Sequence, residues 1–375
     1  MKCSGLDALT GRPLFIEFSE TIERASSGGE IGSNGPIPVI SPGFIDIQVN
    51  GFDGVDFNNP STPLEDIDRS LRAMLTTGVT LCLPTVITGG PEDMLACLRN
   101  LRRAQVELPL RRMIAGFHVE GPYIGAEDGP RGAHPARWVR PPDLDEFRRW
   151  QEATEGNIRL ITISPHWPEA PRYISAITRE GVIASIGHTG ASGDQIAAAV
   201  DAGATLSTHL GNGAHSVMRR HPNYIWDQLA EDRLSASFIV DGIHLGRSFL
   251  RTALRAKGVE RSILVTDAAA PAGARPGRYR LGEQDVDLTP DDRVVLAGTE
   301  KLAGSALKMN RGIANLVQLG ALSLPDAVAM ATLNPARLLG LRAPLLDKGA
   351  PADFVVFRNN AADIDAVYLV GDRAA

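Results

Sequence analysis

From residue 43 onward, short apolar runs alternate with amphipathic segments, and this alternation restricts the possible folds more than any other feature of the chain. The apolar runs have the length of strands, and the segments between them space their apolar residues as helices do. We predict strands at 43–49, 79–84, 113–118, 158–164, 182–186, 204–207, 234–240 and 262–266. We predict helices at 64–77, 91–103, 143–154, 171–179, 192–202 and 247–257.

Eight strand–helix repeats indicate an α/β protein with a parallel sheet covered by helices. The predicted architecture is a (β/α)8 TIM-like barrel, which has this number of repeats and a comparable length. An open, doubly wound sheet is the alternative, although no Gly-x-Gly-x-x-Gly motif follows the first strand. The 375 residues are enough for one large barrel and a small second domain.

The two ends of the chain differ from the barrel region in their predicted secondary structure. A strand is predicted at 13–18, loops at 26–29 and 32–36, and further strands at 352–357 and 366–370. We therefore predict that residues 1–42 and 341–375 form one small β-domain and that residues 43–340 form the barrel. Residues 271–305 are rich in Pro, Gly and Asp and are expected to form a loop or hairpin over the barrel mouth, with a strand at 294–296. Helices follow from about 306 to 340.

Charge and cysteine content exclude several classes of protein. The net charge of −6 argues against a nucleic-acid partner. The cysteines Cys3, Cys82 and Cys97 have neither disulfide nor metal-site spacing, which favours a reducing compartment. The N-terminus has no secretory signal and no apolar run reaches the length of a membrane span. We expect a cytoplasmic protein that binds neither membrane nor nucleic acid.

Polar residues follow the predicted strands directly. The sixth strand, for example, ends in His209 and breaks into a Gly-Asn-Gly loop. In a barrel of this kind all strands point their C-terminal ends into the same mouth, so residues distant in sequence converge there. The strand-end residues are Gln48, Asn50, His118, Glu120, His188, His209, Asp241, His244 and Asp267.

A metal site is predicted from three of these residues together, because a single histidine after a buried strand is more often structural. Glu120, His188 and His209 offer one carboxylate and two imidazoles, which suit a catalytic zinc ion whose fourth position is left to water. Asp267 is not needed as a ligand and is the predicted general base for that water. Zinc, iron, cobalt and manganese can share such ligands, so the sequence leaves the metal open.

The scarcity of lysine favours one metal over two. Many metal-dependent hydrolases on this barrel hold a metal pair with a His-x-His motif on strand one and a carboxylated lysine on strand four. Here strand one ends in Gln48-Val-Asn50, and no lysine lies between Lys2 and Lys257. A single metal per subunit is the simplest interpretation.

Seven short motifs, in order along nearly the whole chain, resemble those of the N-acetylglucosamine-6-phosphate deacetylase family of the amidohydrolase superfamily. They are Pro42-Gly-Phe-Ile-Asp-Ile-Gln-Val-Asn-Gly51, His118-Val-Glu-Gly-Pro122, Gly187-His-Thr189, Thr208-His-Leu210, Asp241-Gly-Ile-His244, Leu264-Val-Thr-Asp-Ala268 and Leu302-Ala-Gly-Ser305. Each motif alone is weak, and seven in the right order are specific.

The resemblance implies a function and roles for individual residues. It implies zinc-dependent deacetylation in amino-sugar catabolism, with zinc at Glu120, His188 and His209 and with Asp267 as proton shuttle. It also implies that His134 polarises the acetyl carbonyl, that the small domain is a β-sandwich, and that the protein is a homodimer. The implied substrate contacts are Ala133, Asn212, Gly213, Arg220, His244, Leu302, Ala303 and Gly304.

The chain departs from the family pattern after the sixth strand. The family has a Tyr-Asn-Ala-Met type of sequence there, whereas this chain has Gly211-Asn-Gly-Ala-His215. Three functions therefore stay open. The expected one is deacetylation of N-acetylglucosamine 6-phosphate, and the first alternative is the same chemistry on N-acetylgalactosamine 6-phosphate or an unphosphorylated N-acetyl amine. The second alternative is a non-catalytic sugar-phosphate-binding barrel, which would not need a general base beside a metal.

Overall fold

The computed structural model describes residues 1–27 and 37–375. The loop predicted at 32–36 and part of that at 26–29 lie outside these residues. The strands are β1 (Lys2–Asp7), β2 (Pro13–Phe18), β3 (Ile22–Ser26), β4 (Val39–Pro42), β5 (Phe44–Val49), β6 (Gly51–Phe52), β7 (Val55–Asp56), β8 (Val79–Ile87), β9 (Phe117–Glu120), β10 (Ile158–Ile163), β11 (Ile183–Ile186), β12 (Leu206–Ser207), β13 (Ser235–Ile239), β14 (Ser262–Val265), β15 (Gly277–Leu281), β16 (Gln284–Leu288), β17 (Val294–Leu296), β18 (Phe354–Arg358), β19 (Asp363–Leu369) and β20 (Asp372–Arg373).

The helices alternate with the barrel strands and then follow one another after β17. They are α1 (Leu64–Leu75), α2 (Pro91–Glu107), α3 (Leu144–Ala153), α4 (Ala170–Arg179), α5 (Gly193–Asp201), α6 (Tyr224–Ala230), α7 (Arg247–Lys257), α8 (Met309–Asn315), α9 (Leu324–Ala331) and α10 (Leu333–Leu338). Within the described residues, no helix is long and apolar enough to cross a membrane.

Eight parallel strands form the barrel, in the order β5, β8, β9, β10, β11, β12, β13 and β14. The barrel closes between its first and last strands. There the Asp267 amide donates to the Gln48 carbonyl at 2.9 Å, and the Asn50 amide donates to the Ala268 carbonyl at 2.7 Å. The prediction of a TIM-like barrel is confirmed, and the open sheet is excluded because the first and last strands are bonded to each other.

Two apolar layers position the strands. Side chains such as Ile47, Leu83 and Leu160 fill the inside of the barrel, and a larger cluster joins the outer strand faces to the helices. Helix α5 begins as the sequence predicts, because Ser192 and Gln195 form a reciprocal capping box.

The two ends of the chain meet in a second sheet, with the order β20-β19-β18-β4-β1-β2-β3. Its core includes Phe18 edge-on to Phe354, which stacks on Tyr368 at a centroid distance of 4.5 Å. The predicted fold class, a barrel with a small β-sandwich domain built from both termini, is confirmed. We propose the boundaries 1–42 with 341–375 and 43–340, since β4 ends at Pro42 and β18 begins at Phe354.

Several element boundaries differ from the prediction. Strand β9 begins at Phe117, because residues Arg111–Met113 form a 3-10 turn and Gly116 has a φ of 136°. Helix α6 was not predicted, and the helical region after residue 306 is divided into α8, α9 and α10. The insertion over the barrel mouth contains β15, β16 and β17 as an antiparallel sheet, where the sequence predicted only the last of these strands.

Candidate active site

A cavity of about 150 Å³ opens at the C-terminal ends of the barrel strands. Most of the residues predicted for the site line it, and they come from both halves of the chain. They are Glu120, Ala133, His134, His188, His209, Asn212, Gly213, His244, Asp267, Leu302 and Gly304. A larger cavity of about 760 Å³ lies outside the barrel near the start of α3, and none of the predicted site residues in the described chain lines it.

Three of the predicted site residues have a left-handed backbone. The φ angles are 50° at His188, 29° at His209 and 48° at Asp267, and each residue lies two positions after a barrel strand. A positive φ is uncommon for residues other than glycine, although Asn, Asp and His tolerate it best. The turn it produces directs each side chain into the cavity, and such strain is concentrated at functional sites.

Three potential ligand atoms converge on one point. The Oε1 atom of Glu120 lies 3.1 Å from Nε2 of His188 and 2.9 Å from Nε2 of His209, and the two Nε2 atoms are 3.1 Å apart. Ligand atoms around a tetrahedral zinc ion are separated by about 3.3 Å, given bond lengths near 2.0–2.1 Å. All three side chains are buried, so little water reaches this point.

The chemistry of these atoms fits a cation. Nδ1 of His188 lies 2.8 Å from the Pro130 carbonyl, which can only accept, so Nδ1 carries the hydrogen. In the neutral imidazole, Nε2 therefore directs a lone pair at the Glu120 carboxylate and at His209. Burial acts to raise the pKa of Glu120, but the neighbouring imidazoles of His188 and His209 outweigh it and hold that pKa well below its usual range, so the carboxylate is ionised. A cation would satisfy all three acceptor atoms at once.

His134 is a competing ligand. One ligand atom from each of Glu120, His134 and His188 lies within 4.8 Å of the others. The His134 ring stands edge-on to His188, with centroids 4.4 Å apart, and its Nδ1 lies 2.9 Å from the Thr88 hydroxyl. Burial, followed by the effect of His188, lowers the pKa of His134 to about 3, so the ring is neutral. The shorter separations within the Glu120, His188 and His209 set favour His209 as the third ligand.

Asp267 is held by two amide side chains from the first barrel strand. Nε2 of Gln48 and Nδ2 of Asn50 both donate to Oδ1 of Asp267, at 3.2 and 2.8 Å. Gln48 also donates to Oε1 of Glu120 at 2.8 Å and so connects the carboxylate of the metal set to the predicted base. Burial and the neighbouring Glu120 raise the pKa of Asp267 to about 6.

The remaining polar groups lie on the side of the cavity formed by strands β12 and β13. Asn212 and Gly213 follow β12, and His244 follows β13, where its Nδ1 lies 2.6 Å from the Asp241 carboxylate.

Leu302 and Gly304 line the cavity from the loop after β17. Ala303, which the sequence also places in the site, is 1% exposed and lies in the apolar layer beneath that loop.

Like Ala303, the predicted contact Arg220 does not line the cavity. The residue is exposed on the segment 216–222. Asn223 holds this segment by donating to the carbonyls of Arg219 and Arg220, at 3.0 and 3.1 Å, and the Arg220 side chain remains in solvent. Within the described part of the chain, the cavity lining contains no lysine or arginine.

Sequence reasoning missed several cavity residues. Ile87 and Ile239 are apolar strand residues, and nothing in the sequence separates them from ordinary core. Leu281 and Gln284 belong to the β15–β16 hairpin, whose contact with the cavity arises only from tertiary packing. Gln48 and Asn50 were named from the sequence as strand-end residues but were given no role, although polar side chains at the end of a fully buried strand require partners.

The barrel and the site together define a class of protein. A (β/α)8 barrel with a carboxylate and two imidazoles on one point, and a second carboxylate held beside them, has the arrangement of metal-dependent hydrolases. The model of the amidohydrolase family matches residues 39–373.

Individual relatives define the family more narrowly. N-acetylglucosamine-6-phosphate deacetylase of Bos taurus is 36% identical over 89% of this chain and 83% of its own length. The solved structure of a Mycobacterium smegmatis N-acetyl-D-glucosamine-6-phosphate deacetylase variant, in complex with N-acetyl-D-glucosamine-6-phosphate, is 34% identical with a TM-score of 0.89, covering 97% of this chain and 95% of that one. An N-acetylgalactosamine-6-phosphate deacetylase of Shewanella sp. is 33% identical over 88% of this chain and 82% of its own length. The chain belongs to the N-acetylglucosamine-6-phosphate deacetylases of the amidohydrolase family, which are metal-dependent hydrolases of a carbon–nitrogen bond.

Proposed function

We propose that this chain hydrolyses the acetamido bond of N-acetyl-D-glucosamine 6-phosphate, giving D-glucosamine 6-phosphate and acetate in amino-sugar catabolism. The observation that carries the proposal is the convergence of Glu120, His188 and His209 beside Asp267 in one buried cavity. A protein that only binds sugar phosphates has no use for a carboxylate held next to a metal set, which argues against a non-catalytic barrel.

The proposed cofactor is one zinc ion per subunit, held by Glu120, His188 and His209. Zinc supplies an acidic bound water, with a pKa lowered to about 7, and polarises a carbonyl. Nitrogen and carboxylate ligands are common to several divalent metals. Zinc is proposed because two histidines and one glutamate, with a fourth position left to water, form a known type of catalytic zinc site.

Asp267 is proposed as both base and acid. Gln48 and Asn50 occupy its Oδ1 atom, which leaves Oδ2 to accept the proton of the attacking water. An amine anion is a very poor leaving group, so the same oxygen then donates that proton to the amide nitrogen as the carbon–nitrogen bond breaks. A pKa of about 6 suits a group that must accept and return a proton near neutral pH.

His134 is proposed to stabilise the carbonyl oxygen as it becomes negative. When the Thr88 hydroxyl donates to Nδ1 of the ring, Nε2 carries the hydrogen and can donate to that oxygen. The interaction is stronger with the developing oxyanion than with the neutral amide, so it favours the transition state.

A substrate panel tests the proposed substrate. We expect acetate release from N-acetylglucosamine 6-phosphate to exceed that from unphosphorylated N-acetylglucosamine and from N-acetylgalactosamine 6-phosphate by about 10-fold or more in kcat/KM. Preference for the galactosamine epimer would assign the specificity of the Shewanella relative instead. Equal rates with and without phosphate would identify the substrate as an unphosphorylated N-acetyl amine.

Arg220 is proposed to bind the phosphate, although it lies in solvent in the single chain. Its segment must therefore move, or a second chain must supply the residue. We expect Arg220→Ala to raise KM for the phosphorylated sugar about 10-fold and to leave KM for the free sugar unchanged, because charge-assisted contacts are strong. Arg219→Ala is the matched control, and an unchanged KM in Arg220→Ala would reject the phosphate role.

We also propose that the protein is a cytoplasmic homodimer. Val217, on the segment that carries Arg220, is 87% exposed, and Trp226, on the helix α6 that follows this segment, is 47% exposed. Apolar side chains grouped in this way favour association. We expect light scattering to give twice the chain mass of 40.1 kDa. Val217→Asp should shift the protein toward monomer, whereas Val106→Asp, at an exposed position of α2, should not.

The cytoplasmic location is proposed from the cysteines. They are free, and two of them are buried, which fits a reducing compartment.

A further inference from the structure

We propose that Leu281, at the tip of the β15–β16 hairpin, forms with Ile87 the apolar wall of an acyl pocket that limits the substrate to an acetyl group. The inference rests on the proposed function, because it assigns the part of the cavity that receives the acyl carbon atoms. The sequence predicted the hairpin only as a covering segment, with no role in the choice of substrate.

The hairpin tip is fixed over the barrel mouth. Gly282 donates its backbone amide to the buried carboxylate of Asp56 at 2.7 Å. Gln284 donates its side-chain amide to the carbonyl of Ala133, the residue before His134. The tip is therefore attached both to the barrel and to the loop that carries the proposed carbonyl-binding group.

A further pair of contacts holds the outer side of the tip. The Glu283 carboxylate accepts from the Arg137 guanidinium at 2.6 Å and from the Trp138 indole at 3.0 Å. These contacts fix the backbone on either side of the tip, so Leu281 has a defined position at the edge of the cavity. A side chain held in this way can exclude a larger group, because the wall cannot easily retreat.

The apolar wall lies beside the atoms that would bind the acyl group. Ile87 pairs in register with Glu120 on the neighbouring barrel strand, and the next residue, Thr88, contacts His134. Ile87 and Leu281 are 9% and 5% exposed and belong to one apolar cluster with Ala303. An acyl chain whose carbonyl is held at His134 therefore has this wall next to it.

The sugar has a different side of the cavity available. Asn212, Gly213 and His244 follow β12 and β13, which lie across the barrel from β8, the strand of Ile87. These residues offer hydrogen-bonding groups suited to hydroxyl and phosphate oxygens, whereas the side chains of Ile87 and Leu281 present only apolar carbon atoms. The division of polarity places the sugar toward β12 and β13 and the acyl methyl group toward the hairpin.

Comparison of acyl chain lengths tests the wall. The substrates are N-acetyl-, N-propionyl- and N-butyryl-glucosamine 6-phosphate, assayed by release of glucosamine 6-phosphate. We expect kcat/KM of the wild type to fall about 10-fold or more for each added methylene. Leu281→Ala should raise the propionyl-to-acetyl ratio of kcat/KM at least about 10-fold, since it removes three carbons from the wall.

Matched variants separate the wall from general damage to the hairpin. Leu288→Ala truncates a second leucine of the same apolar cluster, also 5% exposed, which does not line the cavity. We expect it to lower stability and leave the acyl ratio at the wild-type value. Ile87→Ala opens the wall from the barrel side and should shift the ratio in the same direction as Leu281→Ala.

The possible failures are distinguishable. A wild type that is inactive on the acetyl substrate overturns the proposed function and the inference with it. A wild type that is active, but whose acyl ratio is the same in Leu281→Ala as in Leu288→Ala, overturns the inference alone. An equal rise of KM for all three substrates in Leu281→Ala would place this leucine against the sugar and would likewise overturn it.

Discussion

Replacement of Asp267 by asparagine is expected to lower kcat at least about 10³-fold, since one side chain is proposed to carry the proton in both steps. Asparagine has the same shape and tolerates the left-handed φ of 48° at this position. It can neither take the proton of the water nor return it to nitrogen. Acetate release under saturating substrate measures the effect.

Metal content and folding provide the controls for this variant. Because Asp267 is not among the proposed ligands, Asp267→Asn should retain one metal per chain and the thermal transition of the wild type. Asp194→Asn, at an exposed position in the first turn of α5, removes a carboxylate without touching the site and should keep full activity. Normal turnover by Asp267→Asn would contradict the proposed mechanism.

The second large effect is expected at the metal set, where two histidines compete for one position. We expect His209→Asn to lose most of its metal, to below about one-tenth of the wild-type content, and to lose activity with it. His134→Asn should keep its metal and lower kcat by about 10²-fold or more, because only the donor to the carbonyl oxygen is removed. Elemental analysis of the purified variants, alongside kcat, separates the two roles.

The same substitution at both positions makes the comparison strict. Both histidines are buried, and both contact His188. If His134→Asn were the variant that loses metal while His209→Asn retained it, the ligand set would be Glu120, His134 and His188. Retention of metal by both variants would place the metal elsewhere.

The fold was predictable because its signal is repeated along the chain. Each barrel strand is a short apolar run. Because parallel strands are joined by helices, each predicted strand also indicates that a helix should precede the next strand. Weak local signals failed: β9 was placed too early because Met113 and Ile114 are buried and apolar without being in the strand. Helix α6 was missed because its seven residues follow a loop of exposed residues with no clear period.

The site was predictable only in part. Glu120, His188, His209 and Asp267 lie at strand ends, so the architecture alone brings them together. Leu281 reaches the cavity through hydrogen bonds between the hairpin and distant loops, and no local pattern in the sequence reports such contacts. Arg220 shows that resemblance also has limits. Its position in the family pattern assigned it to the substrate, but in a single chain its side chain lies in solvent and not in the cavity.

The bonds between β5 and β14 also bear on how this site is assembled during folding. Gln48 and Asp267 are 219 positions apart, whereas Glu120, His188 and His209 lie at the ends of strands that precede β14 in the chain. Contacts of long sequence separation form late, because their loop-closure entropy must be met before they stabilise anything. We therefore expect the base to join the metal set only when the last strand closes on the first. During refolding, the recovery of deacetylation is thus a stricter measure of native structure than the recovery of metal binding.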